Sequence, residues 1–489
     1  MISVFLRERR RYTLEELEHL LQGSKAGILD ILKTLKIKGL IRMSKMTFEQ
    51  QNLNDLTDED DEVMLDGSDG KVCYIFTYVG IIAVKDVVLK CYPKYLIHSK
   101  NYALDLKQAL RVIEKYDTRS QKIHLYADMG ETTTYNKLAV MIFLLKDYYD
   151  YGIYSNSKNI VEENGQGEIL WDKTVNNTYA LLCEDGPYYS SVYTKQRVND
   201  EQNFFHRLHA CILYRISKEL EEAGLLDLFD ITGVPPTDDE LEDFGDDDYI
   251  LYRLDRELNV QFNTRKQLLL KTMSAYIVNQ GITTDFGDSF SLYGTANFNL
   301  VWETVCNEIL GDQRAVPMGV LSLPNKLNQE YDKKEPLISV IEHPKWYGKK
   351  AEDIYFDKTA DKTLTPDFLA IKKIHGKYRF IIFDAKYYNL QLEEHEVLSG
   401  QPGIESVTKQ YLYELAYRDF MKKNGIESVY NCFLFPTEEN SVIDKGYVEL
   451  PFLHALDLRN IAIRFLPVKE IFEYYLSNRK MDIEMLNLK

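Results

Sequence analysis

An aspartate and a lysine two residues apart at the end of an apolar strand can serve phosphodiester hydrolysis when a second carboxylate joins them. The stretch TPDFLAIKKIHGKYRFIIFDAKYY, residues 365–388, holds all three groups. Tyr378 to Phe383 reads as a strand that ends in Asp384-Ala385-Lys386, and Asp367 sits 17 positions before Asp384 (384 − 367), in the chain's only Pro-Asp dipeptide. Between the acids, FLAI, KKIHGK and YRFIIF read as strand, turn and strand, and an antiparallel hairpin of that size brings Asp367 and Asp384 to one end. Two carboxylates supply the oxygen ligands that a hard cation such as Mg²⁺ prefers. Such a cation acidifies a water and offsets the charge growing on a phosphate. Side chains alternate along a strand, so Lys386 shares a face with Asp384, where it can orient the attacking water and neutralise charge.

Spacing alone is weak evidence, because Asp-x-Lys starts at three places, Asp105, Asp332 and Asp384. Asp105 lies in a helical pattern and Asp332 in the polar stretch YDKKEP; only Asp384 ends an apolar strand. The segment resembles the core of the PD-(D/E)xK nucleases; a salt bridge at a strand end is the plainer alternative. In those enzymes a glutamate from the helix before the core strands often joins the metal site. Glu303, in LYGTANFNLVWETVCNEIL (residues 292–310), matches that place, on a helix whose apolar face is Leu300, Val301, Val305 and Ile309 with Trp302 beside it. The metal set implied is Asp367, Asp384 and Glu303, holding one or two Mg²⁺ ions, with Mn²⁺ as a substitute. After the core strands, SVTKQYLYELAYRDF reads as a helix on which Lys409 and Gln410 either support the site or are plain surface residues. Position 414 is Glu, so the QxxxY pattern of RecB-like nucleases is not met.

These groups need elements to position them. Residues 290–489 alternate helices and strands, as an α/β domain does. Residues 1–48 read as helix, tight turn, helix, strand, the order of a winged helix-turn-helix. Thr13 and Glu16 fit a capping box, and Ile28, Leu29, Ile31, Leu32 and Leu35 line the apolar side of the second helix. Lys25, Lys33, Lys36, Lys38 and Arg42 are candidates to meet phosphates, or they are solvated on a module that packs against protein. Residues 49–70 read as an acidic linker, 71–230 as a mixed α+β partner-binding domain, and 231–289 as an acidic loop with a helical connector. The fold class expected is a multidomain α/β protein: winged-helix-like module, mixed α+β middle domain, and PD-(D/E)xK nuclease domain.

Composition narrows the partners. The net charge of −17 argues against a protein that coats DNA. Its distribution weakens that argument, since residues 51–70 and 237–248 each hold eight acids and no Lys or Arg, leaving −1 for the remainder (−17 + 16). No apolar stretch approaches the ~18 residues of a membrane span, and no signal segment follows the N-terminal arginines, so a soluble cytoplasmic protein is expected. The six cysteines are scattered, which favours free thiols over disulfides or zinc. His206 and His209 lack further ligands nearby. No GK[ST] phosphate loop or GxSxG elbow is present.

Several longer stretches resemble the LlaJI-type restriction endonucleases, relatives of the McrC subunit of McrBC-type systems. They are YVGIIAVKDVVLKCYPKYL, ENGQGEILWDKTVN, YGTANFNLVWETVC, TPDF, FDAKYY and GQPGIESVTKQYLYE, and they extend from about residue 71 onward. The resemblance implies the nuclease subunit of a bacterial anti-phage restriction system, cutting double-stranded DNA with a hexameric McrB-like AAA+ GTPase that recognises and translocates DNA. Residues 71–230 would bind that motor, and Asp367, Asp384, Lys386 and Glu303 would carry the Mg²⁺-dependent cut. Two other readings fit the residues: a stand-alone PD-(D/E)xK repair nuclease, and a non-catalytic DNA-binding adaptor, against which the intact Asp367, Asp384 and Lys386 argue.

Overall fold

The computed structural model describes residues 2–46, 71–119, 126–129, 132–184, 186–199, 203–280, 290–351, 354–458 and 460–488. They form a mixed α/β protein of two compact units, residues 83–86 with 124–292, and residues 2–82, 87–123 and 293–489. The N-terminal module and the Asp384 region thus belong to the same unit.

The N-terminal module has the expected helices, Leu14–Leu21 and Lys25–Ile37. Thr13 Oγ1 accepts from the Glu16 amide (3.2 Å), but the Glu16 carboxylate turns to Arg10 (2.6 Å) instead of closing a capping box. Ile28, Ile31, Leu32 and Leu35 are buried and Leu29 is half-buried. The strand Ile41–Met46 pairs antiparallel with Lys71–Phe76, which pairs on its other side with Arg11–Thr13. The acidic segment 49–70 lies outside the described residues. The strands on either side of it are paired, so it joins two strands of one sheet. The strand Ile2–Arg7 runs parallel to Val87–Tyr92.

The core of this unit is a five-stranded sheet, in the order Phe368–Ile374, Lys377–Ala385, Ser428–Thr437, Ile461–Pro467, Ile443–Val448. The first two strands form the expected antiparallel hairpin. Its turn is His375-Gly376, both at positive φ (47° and 81°), the backbone that a tight two-residue hairpin requires. The helix Ile404–Asn424 then crosses over, so that Ser428–Thr437 runs parallel to Lys377–Ala385. Tyr413, Tyr417 and Phe420 of this helix pack with Leu369, Ile371, Phe380 and Ile382 of the hairpin. Phe298–Leu310 and Val468–Leu476 pack together through Trp302 and Phe298 against Phe472. Trp302 is buried, whereas Leu300, expected on the apolar face, is 44% exposed.

The other unit is built around the helices Lys137–Tyr151, Phe204–Glu222, Asp247–Val260 and Thr264–Gln280. His206 and His209 serve the fold there: His209 Nδ1 accepts from the Tyr154 amide (3.0 Å) and His206 Nδ1 meets the Tyr154 carbonyl (3.1 Å). Burial lowers the His209 pKa to about 3, so its ring stays neutral. The acidic stretch 237–248 is packed rather than merely solvated. Asp239 pairs with Arg207, Leu241 and Phe244 are buried, and Asp246 caps the helix Asp247–Val260. Of the six cysteines five are buried and Cys183 is exposed; none forms a disulfide.

Candidate active site

The core hairpin brings the acids together by register. Phe368 lies opposite Phe383 and their rings stack at 5.1 Å. One step outward, Asp367 and Asp384 come within hydrogen-bond reach of each other. Asp367 immediately precedes the strand Phe368–Ile374 and Asp384 is the second-last residue of Lys377–Ala385, so both carboxyls sit at the same end of a buried hairpin. Asp384 is 6% exposed, and its Oδ2 is 3.1 Å from Lys386 Nζ. Its Oδ1 is buried and receives no hydrogen bond from any described donor. An orphaned buried carboxylate oxygen is costly unless something else meets it.

Glu303, half-buried on the helix Phe298–Leu310, faces the same cluster. Its carboxyl is pushed up by burial first, then by the Asp384 charge, with Arg314 and Lys386 opposing. Asp367 is pushed up more strongly, by burial, by its hydrogen bond with Asp384 and by the charges of Asp384 and Glu303. Three carboxyls crowded this way resist simultaneous ionisation unless a cation joins them. Their all-oxygen donor set and the orphaned Asp384 oxygen suit a hard divalent cation. As placed, no three His, Cys, Asp or Glu side chains among the described residues enclose a metal ion. The positive charge nearest Asp384 is the Lys386 ammonium.

Lys409 and Gln410 part company. Lys409 is exposed, whereas Gln410 is fully buried and neither Oε1 nor Nε2 has a hydrogen-bond partner. Its neighbour one turn on, Tyr413, donates to the Thr365 carbonyl (3.0 Å), fixing the backbone two residues before Asp367. Burial and the Asp367 and Asp384 charges raise the Tyr413 pKa to about 12. Lys25, Lys33, Lys36 and Arg42 are all exposed, on the N-terminal module.

Sequence reasoning missed the supports around this site. Arg314 Nη1 donates to the Pro366 carbonyl (2.9 Å) while its Nε pairs with Asp312 (2.9 Å). Asp312 and Gln313 bind the amides of Leu369 and Ile371, extending the hairpin's edge. Beyond Lys386, the Tyr387 hydroxyl donates to buried Glu8 (2.6 Å), which also accepts from the Lys94 amide (3.3 Å). Burial raises the Glu8 pKa. Apart from the Arg314–Asp312 pair, these interactions join positions tens to hundreds of residues apart, and no local pattern announces them.

Comparison with known proteins places the chain among restriction endonucleases. The sequence profile of the LlaJI restriction endonucleases matches residues 78–469. The type II restriction enzyme BsuMI component YdjA of Bacillus subtilis (strain 168) is 26% identical over 421 residues, covering 84% of this chain and 83% of its own length. Among solved structures, a chain from the Thermococcus gammatolerans assembly of McrB AAA+ hexamers with bound McrC aligns over 97% of this chain and 99% of its own, with 13% identity and a TM-score of 0.33. A chain of the Thermococcus gammatolerans McrBC complex aligns over 62% of this chain and 84% of its own, with 13% identity and a TM-score of 0.23. The family profile spans most of the sequence and includes Glu303, Asp367, Asp384 and Lys386: this chain belongs to the LlaJI restriction endonuclease family.

Proposed function

We propose that this chain is the nuclease subunit of a restriction system, and that its C-terminal α/β region is a PD-(D/E)xK domain hydrolysing DNA phosphodiester bonds. The observation that carries this is the pair Asp367 and Asp384 at one end of the hairpin, with Lys386 beside them and a buried Asp384 Oδ1 that no N–H or hydroxyl donor among the described residues meets. Asp367, Asp384 and Glu303 would hold Mg²⁺, or Mn²⁺ in its place. When bound, that cation supplies positive charge at the scissile phosphate and makes water a better nucleophile. Lys386, 3.1 Å from Asp384, donates N–H bonds to the attacking water or to a phosphate oxygen as charge builds there. Asp384 keeps that ammonium in place. Water adds to phosphorus, the bond to the leaving sugar oxygen breaks, and that oxygen takes up a proton.

The proposed partner is a hexameric McrB-like AAA+ GTPase, acting on double-stranded DNA. Family membership and the relatives' names support this partner. A surface in the expected partner-binding region does so as well. On the hairpin of Ala180–Cys183 and Gly186–Tyr189, Leu182 is 88% exposed, and Tyr179 beside it is 96% exposed. Apolar groups so placed mark interaction sites. Among the described residues no helix is long and apolar enough to cross a membrane.

The test is plasmid cleavage by the purified chain with Mg²⁺, with and without the GTPase and GTP, beside Asp384→Ala. Cutting that needs the partner and vanishes in the variant supports the full reading. Cutting by the chain alone, also lost in the variant, removes the motor from it. Unimpaired cutting by Asp384→Ala removes the site.

A further inference from the structure

Just before the core hairpin the chain makes another, Lys345–Ala351 paired antiparallel with Ile354–Thr359. It adds no strand to the five-stranded sheet; it is a sheet of two strands. A two-stranded ribbon has little stability of its own in water. Yet this one exposes large aromatic groups: Trp346 70%, Tyr347 67%, Tyr355 58% and Phe356 49%.

Register sorts its side chains. Directly paired residues of an antiparallel ribbon point to the same side. Trp346 pairs with Lys358 and Gly348 with Phe356, making one face. Lys345 with Thr359, Tyr347 with Asp357, and Lys349 with Tyr355 make the other. Each face therefore alternates rings with ammonium groups. Gly348 leaves room on the first face for the Phe356 ring, which lies across it within 2.3 Å of where a Cβ would stand. The strand 345–351 carries Lys345, Lys349 and Lys350 and no acid.

The ribbon's base is tied to the strip that ends in Asp367. The Ala360 amide donates to the Pro344 carbonyl (2.8 Å) and Thr363 Oγ1 to the Glu342 carbonyl (2.8 Å). Further along, Tyr413 holds the Thr365 carbonyl and Arg314 the Pro366 carbonyl. Fully extended, the eight steps from Thr359 to Asp367 span at most about 29 Å, less than one ~34 Å turn of duplex.

We infer that the ribbon formed by the strands Lys345–Ala351 and Ile354–Thr359 is a DNA-gripping finger of this nuclease, its lysines meeting phosphates and its exposed rings packing on the sugar backbone beside the bond to be cut. The inference rests on the nuclease reading and adds to it the surface that holds the substrate. Lysine neutralises phosphates whatever the sequence, and contacts to phosphate and sugar carry no sequence information. Rings interleaved with ammonium groups suit a polyanion whose phosphates alternate with sugars that present C–H surface. The finger thus contributes grip rather than sequence choice.

The experiment measures binding of a fluorescein-labelled DNA duplex to the full chain carrying Asp384→Ala, by anisotropy over a range of salt. Trp346→Ala is expected to weaken binding severalfold, through loss of the ring's packing on the backbone sugars. Replacing Lys345, Lys349 and Lys350 by alanine is expected to lower the log–log salt slope by roughly two to three, near 0.9 for each phosphate that is no longer neutralised. Asp357→Asn removes the acid beside Tyr347 and is expected to tighten binding severalfold, which damage to the fold would not do. DNA bound equally well by parent and ribbon variants overturns the finger and leaves the nuclease reading standing. Failure of the parent to bind DNA overturns the finger, while the nuclease reading stands or falls by the cleavage test.

Discussion

Two hairpins follow one another in this chain and live in opposite surroundings. The core hairpin, Phe368–Ala385, is buried along most of both strands, and its cross-strand rings Phe368 and Phe383 are 2% and 0% exposed. The outer hairpin, Lys345–Thr359, is paired just as regularly, yet nearly every described side chain on it faces solvent. The difference matches the two roles proposed for them. Carboxyls that share a cation must be held to fractions of an ångström, which a packed sheet does. A surface that follows DNA of any sequence needs reach and charge instead.

The largest expected effect lies at the core hairpin. Asp384→Ala should slow plasmid cutting by about a thousandfold or more, roughly 4 kcal/mol of barrier. Retention of even a tenth of the initial cutting rate would mean that the chemistry lies elsewhere. Stability should split the hairpins as sharply. Phe380 is fully buried against Tyr417, with ring centres 4.8 Å apart. Phe380→Ala should therefore cost about 3–5 kcal/mol in urea unfolding. Trp346→Ala on the outer hairpin should stay within about 0.5 kcal/mol. Equal losses would break the comparison.

A third effect tests the acid cluster without reading cleavage. The Asp367–Asp384 pair, with Asp367 raised, holds a proton that the unfolded chain has already released. That contribution is fully present below the ordinary carboxylate pKa and is lost as pH rises through the raised value. Metal-free protein should therefore lose thermal stability as pH rises through that window. Mg²⁺ needs the deprotonated acids, so the rise in Tm on adding it should grow over the same range. A Tm increment that is independent of pH, or that survives Asp367→Asn undiminished, would detach the metal from this pair.

The core hairpin was legible because every signal for it is local: two apolar runs, a His-Gly turn, and acids at matching offsets. Register then follows from the turn. Glu303 was legible by its place on a helix with a clear apolar stripe, though that stripe misassigned Leu300. Arg314, Tyr413 and Glu8 were not legible, because each acts on backbone or side chains far away in sequence. The outer hairpin also escaped notice. Its aromatic and lysine residues alternate like those of any half-buried strand, and only the fold reveals that neither face is covered. The strand pairing Ile41–Met46 with Lys71–Phe76 was hidden for the opposite reason, since the acidic run between them reads like a linker.

That pairing changes how the N-terminal lysines must be tested, and theirs is the smallest expected effect. Deleting residues 1–48 would remove two partners of the strand Lys71–Phe76 and the parallel partner of Val87–Tyr92. It would also strip Glu8 from Tyr387, the residue after Lys386. Loss of cutting by such a truncation would report collapse at the site, not a missing grip on DNA. Lys33 and Lys36 are exposed on the helix Lys25–Ile37, away from its buried stripe, so alanine there removes charge and spares packing. If the module touches phosphates, Lys33→Ala with Lys36→Ala should lower the salt slope of duplex binding by up to roughly 1.8 and weaken affinity severalfold. That is less than the three lysines of the outer hairpin should give. An unchanged slope would confine the DNA surface to the region around Asp367, and the N-terminal module would then serve the site only from behind, through Glu8 and the backbone it holds.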